Sequence, residues 1–89
     1  MDRRVWKYKL NMGATALTLP EGARVLFVGE QHGDPHIWVE QSSADNVPGN
    51  NYSFYVVGTG HVLPEGNVYC EYVGSYISDP FVWHIYQTW

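Results

Sequence analysis

The segment "VVGTGHVLP" (Val56 to Pro64) holds the residues best placed to do chemistry. Gly58-Thr59-Gly60-His61 is a compact glycine-rich turn after a strand-like run. Glycines here permit positive φ and can aim successive backbone N–H groups at a phosphate or carboxylate. Thr59 adds a hydroxyl and His61 a titratable donor. Nucleotide-binding loops of this kind are followed by a helix whose dipole completes the site, and no helical pattern follows here. The simpler expectation is a tight corner with a hydrogen-bonded histidine.

The other reactive groups are sparser. "HGDPH" offers His32, Asp34 and His36. A metal needs three or four such ligands converging, and histidines at the two ends of a turn around Pro35 diverge, so no metal or cofactor is expected. His84 shares a strand face with Val82 and Tyr86, which points to a half-buried ring bonded to backbone rather than a general base. Cys70 has no nearby cationic partner in sequence and reads as a small core residue. No serine sits in a nucleophile-elbow motif. Glu21 and Glu65 occupy matching turn positions, so turn structure accounts for both. No enzymatic activity is expected.

Composition narrows the alternatives. The formal charge is −4, and the cations are Arg3, Arg4, Lys7, Lys9 and Arg24 alone, which argues against a nucleic-acid partner held through a basic surface. No apolar run approaches the ~18 residues of a membrane-spanning helix. A single cysteine fits a reducing cytoplasm. Aromatic residues make up 16% of the chain, more than a small core absorbs. Trp6, Trp38 and Trp83 are expected in the core, and Trp89 ends the chain. The surplus points to a partner surface or self-association.

These residues must be positioned by strands, because helical periodicity is nearly absent. "RVWKYKL" alternates Val5, Lys7 and Lys9 with Trp6, Tyr8 and Leu10, a strand with one wet face. "ARVLFVG" is apolar on both faces and reads as a central strand. "HIWVEQS" alternates again. A polar loop from Ser42 to Asn51 precedes "YSFYVVG", "NVYCEYVG" and "FVWHIYQTW". Six strands, with a possible seventh around Ala16 to Leu19, predict an all-β domain over residues 1–89: a small antiparallel sandwich or barrel.

The chain also repeats itself. "LPEGARVLFVG" begins at Leu19 and "LPEGNVYCEYVG" at Leu63. With one inserted residue, Val28-Gly29 matches Val73-Gly74, Asp34-Pro35 matches Asp79-Pro80, and Trp38 matches Trp83. Turn grammar explains Pro-Glu-Gly and Asp-Pro, but not the paired tryptophans. The expectation is two βββ repeats, about 3–41 and 50–87, related by a pseudo-twofold axis, each closing an edge the other leaves open. Ala14-Thr15-Ala16 stands in the first copy where the second has Gly58-Thr59-Gly60.

"VVGTGHVLP" and "FVWHIY", with "WKYKL" at the start and "DPHIW" between, resemble small uncharacterised proteins of tailed bacteriophages and prophages, grouped as a domain of unknown function. Departures lie in the Ser42–Asn51 loop and in Gln87 to Trp89. The resemblance implies a phage origin and action in the host bacterial cytoplasm. The leading expectation is a domain that binds a host or anti-phage-defence protein, through Gly58, Thr59, Gly60 and His61 with exposed aromatics such as Trp89. A second expectation is an oligomer that sequesters a small anionic ligand such as a nucleotide signal. Arg24 or the Arg3–Arg4 pair would meet its charge, and Trp38 or Tyr55 would stack its base. A structural virion component is a third.

Overall fold

The computed structural model describes residues 2–64 and 69–89. Among them seven strands run in chain order: β1 (Arg3–Lys9), β2 (Gly13–Pro20), β3 (Arg24–Gln31), β4 (Asp34–Ser42), β5 (Gly49–Gly58), β6 (Cys70–Ser78) and β7 (Phe81–Thr88). All pairings are antiparallel, in a three-stranded sheet β1-β4-β3 and a four-stranded sheet β2-β5-β7-β6. This is the all-β, sandwich-like architecture that the alternation predicts. The possible strand near Ala16 is the full-length β2, and the polar loop shortens to residues 43–48 because Asn50 and Asn51 pair with Leu19 and Thr18.

Period-two alternation decides which side of each strand is buried. Ile37 and Val39 of β4, Phe54 and Val56 of β5, and Ile85 of β7 point inward with Leu10, Leu19, Val28 and Tyr76. Full burial of each large aliphatic or aromatic side chain stabilises the fold by about 1.5–3 kcal/mol. β2 ends at Pro20, one residue past the buried Leu19, and the turn there has Ala23 N donating to Pro20 O at 3.1 Å with Gly22 at φ +85°. Of the second Leu-Pro-Glu-Gly, Glu65 and Gly66 lie outside the described residues.

Three expectations change. β3 is an edge strand, not a central one: among the described residues it pairs only with β4. Its core side lies against β6, where Val28 meets Gly74, whereas Leu26 and Phe27 stay exposed, so its second apolar side is not a buried one. Trp38 and Trp83 fall on opposite faces. Trp83 packs against the core two residues before Ile85, whereas Trp38 lies between the core residues Ile37 and Val39 and so points outward. Trp6 of β1 is half-exposed, because β1 is an edge that no described strand flanks.

Asp-Pro also serves two purposes. Asp34-Pro35 opens β4 after a two-residue turn of His32 and Gly33, both at positive φ (54° and 82°), the backbone of a type I′ hairpin. Asp79-Pro80, joined by a cis peptide, is itself the turn between β6 and β7. The repeated segments nevertheless supply strands in one order: first, third, second, as β1-β4-β3 and as β5-β7-β6.

Tyr76 reports on this packing. Burial raises its phenol pKa above 10.0, and the carboxylates of Glu30 and Asp34 add to the rise. A phenol that resists ionisation only when folded leaves stability unaffected below the unfolded pKa. Above it, the unfolded chain ionises first and gains. The denaturant midpoint should therefore fall as pH rises from about 10, and Tyr76→Phe should remove that part of the fall. Urea titrations at pH 9 and pH 11 check it.

Candidate functional site

β5 ends at Gly58, and the chain reverses at once. His61 N donates to Gly58 O at 3.1 Å, and Gly60 takes φ +86° at the third turn position. That is a type II turn, whose third residue needs glycine's freedom. Thr59 ties the turn to β7: its N–H and its hydroxyl both reach Val82 O, at 3.2 and 3.3 Å. Gly58 is glycine for space, since a Cβ there would lie 2.9 Å from His61 Nδ1 and 3.0 Å from the Trp83 ring. The missing side chain lets His61 fold back edge-on to Trp83, ring centroids 6.4 Å apart.

A cavity of about 480 Å³ opens there, walled by His61, Phe81 and Trp83 with Pro80 and Val82. Phe81 and Trp83 lie 6.0 Å apart between ring centroids, and Phe81 is largely exposed at the mouth. On the loop's other flank a hollow of about 270 Å³ is bounded by His61, Leu63, His84 and Tyr86 among others. The Gly58–His61 turn is thus a partition between two concavities.

His84 stands at the second hollow in a chain of hydroxyls. Ser75 Oγ lies 2.7 Å from its Nδ1, Thr59 Oγ1 lies 2.8 Å from its Nε2, and Tyr72 Oη lies 2.8 Å from Ser75 Oγ. With a neutral imidazole, one arrangement of protons satisfies every bond. Thr59 donates to Val82 O and accepts from His84 Nε2–H, so His84 Nδ1 accepts from Ser75, which accepts from Tyr72. A serine donating to imidazole is the pairing used in nucleophilic catalysis. Here a neutral threonine takes the place of an orienting carboxylate, and the network's effect is to lock the turn, β6 and β7 into one frame. The expected backbone partner of His84 is corrected to side-chain hydroxyls, because β6 sets Ser75 directly opposite it.

The same register builds a tyrosine row. Tyr55, Tyr86 and Tyr72 sit directly opposite one another on β5, β7 and β6, and the Tyr72 and Tyr86 rings meet edge-on at 5.7 Å. The row and His84 share the outer face of the four-stranded sheet.

Gly58, Thr59, Gly60 and His61 therefore come together, and the other candidates lie elsewhere. Trp38 is on the outer face of the three-stranded sheet, 5.4 Å from Phe27 between ring centroids. Arg24 is on that face too, 3.8 Å from Glu40. Trp89 follows the far end of β7, with its N–H on Tyr69 O and its ring against Tyr69. Cys70 is half-buried at the start of β6. His36 turns Nδ1 toward Asp34 O at 2.9 Å. Sequence reasoning missed Phe81, Ser75 and Tyr72. The Asp-Pro turn carried a usable signal, because pairing β6 with β7 about it sets Ser75 against His84.

Residues 1–89 match the model of a family described as a domain of unknown function (DUF7352). No curated protein and no solved structure matches the chain.

Proposed function

We propose that this chain, which belongs to the DUF7352 family of domains of unknown function, is a binding module that seats an apolar or aromatic side chain of a partner protein beside the Gly58–His61 turn. The observation that carries the reading is the cavity wall: the Phe81 and Trp83 rings of β7 with His61 from a turn tied to β7, and no lysine or arginine among its described lining residues. Protein anchors are aromatic groups in such pockets. Across the turn, the tyrosine row borders the second hollow and supplies flat, amphipathic contact area of the kind protein-binding surfaces use. A phosphate-bearing ligand would want a cation at the same place, and Arg24 is on the other sheet, paired with Glu40. The phage-like sequence pattern suggests a host or defence protein as the partner.

The test is co-purification of the tagged protein from bacterial lysate, beside titration with N-acetyl-tryptophanamide followed by NMR. Phe81→Ala removes an exposed wall without touching the core. It should leave the fold intact and weaken probe binding about tenfold. Gly58→Ala should do the same by displacing His61 from Trp83. Partners or probe retained equally by both variants would sink the reading. A nucleotide carried through purification in their place would establish sequestration instead.

A further inference from the structure

β1 is an open edge, and its chemistry is unlike the rest of the molecule. Leu10 N donates to Pro35 O, and Ser43 N donates to Asp2 O, each pair lying in the register of β1 with β4. Those two bonds set the parity of the ladder: Arg4, Trp6 and Tyr8 turn their backbone groups toward β4. The N–H and C=O groups of Arg3, Val5, Lys7 and Lys9 therefore point away from the sheet, and no described strand pairs with them. On the matching strand of the other sheet, β5, that edge is taken by β2. The segment of the second repeat corresponding to β2 turns away at Gly60 and runs on with Val62 exposed, so β1 is left uncovered.

Charge selects what fits. Four of the five cations of the chain lie in β1, and the strand has no acid, although the protein as a whole is acidic. Among the described residues Arg3 pairs with Glu40 and Lys9 with Asp34, but Arg4 and Lys7 have no carboxylate partner. A second copy of β1 would set cations against cations, which is destabilising across strands. Beside the edge, Arg4 and half-exposed Trp6 line a hollow of about 420 Å³ with Pro20 and Gln41. A strand added along β1 would direct alternate side chains into it, the pattern of strand-addition recognition.

We infer that β1 is a docking edge for an extended acidic polypeptide segment, which adds as a fourth strand to β1-β4-β3 and places an apolar side chain beside Trp6. The inference is independent of the cavity at the Gly58–His61 turn. The test uses the full chain and a fluorescein-labelled seven-residue peptide alternating Glu and Val, read by anisotropy at low salt. Val5→Pro removes only an outward-facing N–H, which an edge strand tolerates, so the fold should survive while peptide binding is abolished. Arg4→Glu with Lys7→Glu should weaken binding about tenfold or more, and Phe81→Ala should leave it unchanged. In the unaltered protein the Val5 and Lys7 amides should exchange about tenfold more slowly with peptide bound, a readout that does not depend on any variant folding. Absence of saturable binding, or equal binding to Val5→Pro, overturns the inference. So does a homodimer that Val5→Pro dissolves, or tighter binding of single-stranded oligo-dT by the same residues.

Discussion

Phe54→Ala should lower the unfolding free energy by about 3–5 kcal/mol, the range for emptying a buried phenylalanine site. Phe54 is fully buried at the middle of the four-stranded sheet, opposite Thr15 on β2 and Gln87 on β7, and stacked on Tyr52. Neighbours on both sides are held in ladders, so the site has little freedom to collapse around the void. A domain of this size has a total stability of about 4–13 kcal/mol, so the change consumes a large part of it. The melting temperature should fall by about 15–30 °C. Calorimetry on the variant checks the value, and a fall of only a few degrees would mean that Phe54 is not where the core is anchored.

Gly74→Val should destabilise by about 2–3 kcal/mol for the opposite reason, overpacking. A Cβ at residue 74 would stand 2.7 Å from Val28 Cγ2 and 3.3 Å from Cγ1. Val28 is buried and β-branched, so its side chain has little rotamer freedom with which to retreat. Replacing a strand glycine recovers only about 0.5–1 kcal/mol of backbone entropy, and the clash wins. Val28→Ala alone should cost about 2 kcal/mol, yet in the double variant the two losses should fall short of their sum by about 1 kcal/mol or more. Denaturant unfolding of the four proteins closes the cycle. Strict additivity would show that β3 and β6 do not meet at this point.

The Gly74 result bears on what repetition in a sequence means. Val28-Gly29 and Val73-Gly74 are the same dipeptide in matching places. Gly29 makes room on the outer face for the Phe27 and Trp38 rings, whereas Gly74 makes room for Val28 where the two sheets join. Asp34-Pro35 and Asp79-Pro80 diverge likewise, one beginning a strand and the other forming a turn. Each copy folds against a different neighbour, so like residues meet unlike surroundings.

Strand identity was legible because it depends on alternation within a few residues: Ile37 and Val39 against Trp38 and Glu40, or Trp6 and Tyr8 against Lys7 and Lys9. The Gly58–His61 turn was legible because the third position of a type II turn strongly favours glycine, here Gly60. The rest of the site depends on which strands become neighbours. Nothing local places Ser75 against His84, lines up Tyr55, Tyr86 and Tyr72, or brings Phe81 and Trp83 under His61. Those juxtapositions follow from the β6–β7 and β5–β7 registers. Nor does local pattern show that "ARVLFVG" is an edge strand, since Leu26 and Phe27 make it look apolar throughout although both stay exposed in the fold. By itself the sequence determined an all-β chain, its turns and its wet faces, because those are set by residue type and a period of two. Only the tertiary structure decided the cavity, the hydroxyl network and the exposed cationic edge, because each is made of groups that long-range strand pairing alone brings together or leaves unpaired.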